Sequence, residues 1–196
     1  MSLTIAQVVA KATEEISYVH DAPFHYIVLT RKDNTWDNQR IARYIEVLDQ
    51  IEATKGPGVL VTIGSGPKHF SSGFDLPFWA KSFANWSSSV FGMQQLMARL
   101  FEFPMPTMCV FNGTTIAGGY IFGLCHDFRI MDVNKGSICL SELKLGIPLP
   151  PAYMRAMAAK LPASICNKVC YGITTNPQDA LKDNLIDDTF ENPQQL

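Results

Sequence analysis

Hydrophobic and polar positions along this chain switch between two periods, and the switches outline its elements. His25-Tyr26-Ile27-Val28-Leu29-Thr30 is apolar and β-branched, as a strand is, and the polar stretch from Arg31 to Asn38 closes it. Ile41, Tyr44, Ile45, Leu48 and Ile51 then recur at three- and four-residue steps, which predicts an amphipathic helix. Lys55-Gly56-Pro57-Gly58 ends that helix, and Val59-Leu60-Val61-Thr62-Ile63 is a short run suited to a buried strand. A loop from Gly64 to Gly73 leads to Asp75, placed to cap a helix with Pro77 in its first turn. Phe91 to Phe103 reads as a helix stopped by Pro104 and Pro106, and Thr107-Met108-Cys109-Val110-Phe111 is the next buried strand. Gly113 to Gly119 is a small-residue loop opening a helix toward Leu124. Phe128-Arg129-Ile130-Met131 and Ser137-Ile138-Cys139-Leu140 are further strands. Tyr153 to Leu161, Ser164 to Tyr171 and Pro177 to Lys182 read as helices. Strands alternating with helices, with no internal repeat or Pro/Ser linker, give one α/β domain over residues 1–196.

Composition narrows the function classes. With 47% hydrophobic and 17% charged residues, disorder is excluded as the main state. Sixteen Lys and Arg against 18 Asp and Glu leave a net charge of -2, with no basic excess to neutralise a phosphate backbone, so nucleic acid is not an expected partner. No apolar run reaches the length of a membrane span. The five cysteines (Cys109, Cys125, Cys139, Cys166, Cys170) form no C-x-x-C pair and read as buried thiols in an intracellular, reducing compartment. Met1 to Ala10 lacks the basic start of a secretory signal, and Gln194-Gln195-Leu196 is not a peroxisomal Ser-Lys-Leu address, so no clear targeting signal is read.

Several chemical signatures fail. Gly64-Ser65-Gly66-Pro67-Lys68 lacks the Gly-Lys-Ser/Thr ending of a phosphate loop, and Ser65 is not in a G-x-S-x-G elbow. His20, His25, His69 and His126 show no ligand spacing, so no metal site is expected and His126 reads as structural. Two glycine-containing loops remain, His69 to Leu76 and Asn112 to Tyr120, each after a strand and before a helix. Each can present a free backbone N–H, and two such donors converging on one point would form an oxyanion hole. On spacing alone they are equally tight strand-to-helix turns.

The run from Phe70 to Leu76 resembles the F-S-x-G-x-D-L segment of the crotonase (enoyl-CoA hydratase/isomerase) superfamily. Asn112-Gly113 through Ala117-Gly118-Gly119 to His126-Asp127 is similar to that family's second signature. Ser141-Glu142-Leu143-Lys144-Leu145-Gly146-Ile147 is similar to its third, and Gly172 to Ile186 to its tail. The resemblance covers roughly Phe24 to Asp187, and the Gly-Phe-Asp-Leu and Ser-Glu variants are most like its peroxisomal-type Δ3,Δ2-enoyl-CoA isomerase branch.

The resemblance implies a crotonase-like α/β spiral of repeated ββα units, assembling as a homotrimer or within a larger complex. It assigns the oxyanion N–H groups to Phe74 and Gly118 and the catalytic carboxylate to Glu142. Family hydratases carry a second glutamate three residues after the oxyanion glycine; here that position is Ile121, which implies isomerisation rather than hydration. Lys68, Ser72, Gly73 and Ile121 are expected to contact an acyl-CoA thioester, with Ile121 and Phe122 supplying an apolar surround that raises the Glu142 pKa. Coenzyme A enters as part of the substrate, so no cofactor is implied. Asp75 and Asp127 read as structural. The compartment implied is mitochondrial or peroxisomal. Residues 1–22 read as an added N-terminal arm, and the family's usual C-terminal helices as largely absent. Two other readings stay open: a catalytically silent structural subunit of a larger assembly, and a different crotonase reaction with another acid–base set.

Overall fold

The computed structural model describes residues 2–54, 56–66 and 68–191. Lys55, Pro67 and the terminal Gln194-Gln195-Leu196 of the sequence reading lie outside them.

The chain opens with helix α1 (Ile5–Ala10), capped by Thr4, whose side chain accepts from the Gln7 N–H while Gln7 reaches back to the Thr4 backbone. Strand β1 (Ile16–Asp21) pairs antiparallel with β2 (Phe24–Leu29) and forms the edge of the sheet, so part of the segment read as an arm is a strand of the fold. Its Ile-Ser-Tyr-Val-His-Asp sequence is half polar, which hid it beside the stronger run that follows. Helix α2 (Asn38–Glu52) buries Ile41, Tyr44, Leu48 and Ile51, the stripe that its spacing predicts.

Three ββα turns follow. In the first, β3 (Val59–Gly64) and β4 (His69–Ser71) precede α3 (Leu76–Trp79) and α4 (Phe83–Phe101). In the second, β5 (Thr107–Phe111) and β6 (Thr114–Ile116) precede α5 (Gly118–Leu124). In the third, β7 (Phe128–Asp132) and β8 (Ser137–Cys139) precede α6 (Glu142–Leu145). The first strand of each turn joins the large sheet, β1-β2-β3-β5-β7-β9, where every pair after β1–β2 is parallel. The second strand of each turn joins a small parallel sheet, β4-β6-β8. The remaining helices are α7 (Pro151–Lys160), α8 (Ala163–Cys170) and α9 (Pro177–Lys182), before β9 (Asp188–Phe190). This is the mixed α/β spiral that the family resemblance implies.

Helix α4 begins eight residues before Phe91, because Ser82 caps it through the Asn85 N–H. The Ser87-Ser88-Ser89 run inside it bonds back to the Ala84 and Asn85 carbonyls, so its polarity does not end the helix.

The strands of the large sheet are buried on both faces, and their alternation divides two cores. Ile27, Leu29, Leu60, Cys109 and Phe111 face the helical side with α2, α4, α5 and α7, whereas Tyr26, Val28, Val61, Ile63 and Val110 pack with Ile5 and Val8 of α1. All five cysteines are free.

Candidate active site

The first loop is held by an exchange with Trp36. The Trp36 N–H donates to the Gly73 carbonyl at 2.8 Å and the Asp75 N–H donates to the Trp36 carbonyl at 2.9 Å. In such a parallel bridge the residue between, Phe74, turns its own N–H to the opposite side. Gly73 makes the turn at φ +84°, a conformation a side chain disfavours. Asp75 then caps α3 by accepting from the Phe78 N–H at 2.9 Å, the structural role read for it.

The second loop leaves β6 through Ala117, at φ 53° and ψ -129°. A non-glycine residue held there carries strain of the kind found at functional turns. Its N–H is fixed by the Cys139 carbonyl at 2.8 Å, and Gly118 opens α5 immediately after it. The two loops interlock. A β-carbon on Gly118 would lie 3.1 Å from the Phe74 ring, and one on Gly73 would lie 3.1 Å from the Gly118 nitrogen. Among the described residues neither the Phe74 nor the Gly118 N–H has a protein acceptor.

Glu142 is the first residue of α6 and accepts through its backbone carbonyl from the Ile147 N–H at 2.9 Å, while Gly146 ends the helix in the left-handed region. Its side chain is 9% exposed, and Oε2 is buried without a hydrogen-bond partner. Burial pushes its carboxyl up from the ordinary value, with only a backbone hydrogen bond opposing.

Three adjoining chambers share Glu142 and Ile147. The one of about 220 Å³ is lined by Ser72, Phe74, Ala117, Gly118, Ser141 and Glu142, together with Leu76, Trp79, Ile116, Leu145 and Ile147. This cavity brings both free N–H residues and the buried carboxyl together. A small chamber beside it is walled by Phe74, Trp79, Trp86, Leu149 and Tyr153. An open one of about 390 Å³ is bounded by Leu143, Leu149, Met154, Asn167, Cys170 and Tyr171. Glu142 is the sole Asp, Glu, Lys, Arg or His in the linings of these three chambers. An apolar cleft with few polar groups suits an acyl chain, and the two N–H groups suit a carbonyl oxygen.

Not every expected contact falls here. Ser72 lines the 220 Å³ cavity and Gly73 shapes its loop, but Lys68 is exposed ahead of β4, outside all three linings. Ile121 is fully buried and lines none of them. Phe122 packs on Trp36, Tyr44 and His126 instead of Glu142. The apolar surround of the carboxyl therefore comes from Phe74, Trp79, Ile147 and Leu149, not from Ile121 and Phe122. The reason is geometric: α5 turns its inner face into the core beneath the sheet, so only its first residue reaches the cleft. His126 is buried and hydrogen-bonded to Thr62, and Asp127 accepts from the Thr107 N–H and hydroxyl, so both are structural. The sequence does not single out Trp79 or Tyr153; each carries a buried polar atom without a partner and lines a chamber with Glu142, and no local motif marks either.

The family described as enoyl-CoA hydratase/isomerase matches residues 22–196. The chain is 33% identical over 150 residues to "Enoyl-CoA delta isomerase 3" of Arabidopsis thaliana, covering 72% of this chain and 62% of that protein. It is 30% identical over 136 residues to "Enoyl-CoA delta isomerase 2, peroxisomal" of the same plant, covering 65% and 56%. Its length thus spans only about 60% of these relatives. An enoyl-CoA hydratase from Shewanella pealeana superposes with a TM-score of 0.82 at 25% identity, over 96% of this chain and 72% of that one. An enoyl-CoA hydratase/carnithine racemase from Magnetospirillum magneticum superposes at 0.85 with 16% identity, over 92% and 70%, a likeness of fold. With Phe74, Gly118 and Glu142 lining one cavity, and a match running from the first parallel strand onward, this chain belongs to the enoyl-CoA hydratase/isomerase, or crotonase, family.

Proposed function

We propose that the protein is a Δ3,Δ2-enoyl-CoA isomerase that moves a 3-enoyl-CoA double bond to the 2-trans position. The observation carrying this reading is the single carboxylate: Glu142 shares its cavity with Phe74 and Gly118, and no second acidic side chain lines it. Hydration needs a second group to hold and deprotonate water, whereas a 1,3-proton shift needs one base that returns the proton it took.

The thioester carbonyl oxygen accepts hydrogen bonds from the Phe74 and Gly118 N–H groups. The Glu142 carboxylate removes a proton from C2, and the electron pair delocalises onto the carbonyl oxygen as a dienolate. The dienolate then takes the proton back from Glu142 at C4, which regenerates the carboxylate and leaves the conjugated 2-enoyl thioester. Each N–H that meets the developing charge contributes about 2.7–4 kcal/mol to lowering the barrier. Burial of Glu142 strengthens it as a base, because the neutral acid is the favoured form in an apolar site.

Coenzyme A is the substrate's handle in this scheme, and no separate cofactor takes part. A homotrimer or a larger complex, in a peroxisome or mitochondrion, is the accompanying proposal. The choice of compartment is supported by relatives named as peroxisomal in Arabidopsis thaliana and as mitochondrial in Mus musculus.

The test is conversion of 3-hexenoyl-CoA to 2-hexenoyl-CoA, followed by conjugated-enoyl absorbance. Wild type is expected to turn over, and Glu142→Gln to lose at least about 10²-fold in rate. A folded, pure wild type without activity would overturn the isomerase in favour of a silent structural subunit.

A further inference from the structure

Three residues that line the same small chamber each carry a buried polar atom without a partner: Glu142 Oε2, the Tyr153 hydroxyl and Trp79 Nε1. One is an acceptor and two are donors. Leaving such groups unpaired in an apolar site is costly, so complementary orphans around one space point to a contact made when the carboxyl is ionised. Hydrogen bonds of an active site are often open before substrate binds and tighten in the complex.

We propose that Tyr153 is a positioning residue for Glu142: its hydroxyl donates to Oε2 of the ionised carboxylate and holds the other oxygen toward C2 and C4 of the acyl chain. The identity of those carbons rests on the isomerase reading; the contact itself does not.

The Tyr153 ring is already placed for this. It is parallel to the Phe74 ring, with centroids 6.4 Å apart and planes 6° from each other, and its N–H is held by the Pro150 carbonyl at 2.9 Å. A shift of the Tyr153 or Glu142 side chain brings the hydroxyl to Oε2. Burial pushes the phenol up, and Cys125 and then Glu142 push it further, so it stays a donor over the working range. The competition is sparse. Lys, Arg, His and Asp are absent from the linings of the chambers that contain Glu142; the other titratable groups there are Cys170 at the end of α8 and Tyr171 just after it, and the buried Cys125 thiol acts on Tyr153 from beyond the chambers. Trp79 supplies the second orphan donor, on a ring packed 4.4 Å from Phe74, and it also borders the cavity of the two free N–H groups.

A donor to the ionised form favours that form, so losing it raises the pH at which Glu142 releases its proton. The experiment follows the Glu142 carboxyl by ¹³C NMR across pH, with the resonance assigned by its disappearance in Glu142→Gln. Wild type, Tyr153→Phe and Trp79→Phe are compared, with kcat and KM for 3-hexenoyl-CoA measured in parallel. Tyr153→Phe is expected to move the midpoint upward, and further than Trp79→Phe does. It should also lower kcat by about tenfold near the wild-type midpoint, with KM changed less than about twofold. Because the hydroxyl has no partner in the resting fold, its removal leaves the ring packing in place. An unmoved midpoint, a larger displacement from Trp79→Phe, or a rise in KM alone would each overturn the proposal. If wild type lacks isomerase activity, the functional reading falls, while the titration still decides whether Tyr153 contacts Glu142.

Discussion

The α-carbon of Gly73 faces the backbone nitrogen of Gly118 so closely that an added β-carbon would stand 3.1 Å from it and 3.1 Å from the Ala117 side chain. Gly73 also sits at φ +84°. A methyl group there meets two penalties, backbone strain and displacement of the second loop. Gly73→Ala is expected to cost about 1–2 kcal/mol of stability. Its effect on kcat should be larger than that cost implies, because the shift separates the two N–H donors. Gly146, at φ +66° with nothing near its β position, is the control: Gly146→Ala should lose only the backbone part of that stability and retain more activity. Denaturant unfolding and turnover of the two variants check this, and equal losses of activity would sink the account.

Burial of Glu142 predicts a pH-dependent cost to the fold. Its folded-state pKa is raised, so below the ordinary glutamate range both folded and unfolded chains hold the proton, and Glu142 adds no penalty. As pH rises, the unfolded chain releases the proton first, and stability falls until the folded carboxyl has ionised too. Glu142→Gln removes that loss. The variant should match wild type in Tm at pH 4 and exceed it at pH 8. Each kcal/mol relieved reads as about 2–4 °C for a chain of this size. A variant less stable than wild type at pH 8 would show that the carboxylate is better solvated than its burial implies.

What the sequence revealed follows from where each feature's physics is local. The glycines and the Asp cap mark the two loops locally, but the Phe74 and Gly118 N–H groups are legible only through the family resemblance, because the loops are held by the distant Trp36 and Cys139. Strand β2 and the buried stripe of α2 were readable because their periods are strong. Strands β4 and β6 were not: each has three residues, and each was absorbed into a loop by neighbouring glycines. They hold through parallel pairing with each other and with β8, a long-range contact without local signature. Tyr153 and Trp79 were invisible for the same reason, since α3 and α7 meet at Glu142 only in the folded chain.

Position 121 shows the limit of a motif count. Ile121 occupies the position of a hydratase glutamate by spacing, yet its side chain is fully buried within α5 and lies outside the cleft. Its neighbour Tyr120 is pinned beneath the sheet by donating to the Leu185 carbonyl at 3.1 Å. Ile121→Glu would place a carboxyl in the core without a partner. The expected result is a loss of about 3 kcal/mol or more and no gain in hydration of 2-hexenoyl-CoA. Urea unfolding and a hydratase assay check the two halves; a stable variant that hydrates would mean that α5 can rotate the introduced carboxyl into the cleft.

The interior network at His126 predicts the opposite pH trend. The ring is fully buried, with Nε2 2.9 Å from the Thr62 hydroxyl, which in turn lies 2.5 Å from the Tyr44 hydroxyl, and Nδ1 3.2 Å from the Gly123 carbonyl. Burial pushes its pKa down to about 4, and the nearby Arg129 charge adds to that, against hydrogen bonds that favour the charged form. The unfolded histidine titrates near 6.5, so between those values the unfolded chain binds the extra proton and stability falls as pH falls. A displacement of this size is worth up to about 3 kcal/mol, complete only below pH 4 and absent above neutrality. His126→Gln removes the titration while retaining hydrogen-bonding capacity toward Thr62. Stability measured by urea unfolding at pH 7 and pH 4.5 should drop less in the variant than in wild type. The Glu142 contribution is present in both proteins and cancels in the comparison. An equal drop would place the acid sensitivity elsewhere, and the buried neutral imidazole would then be no determinant of it.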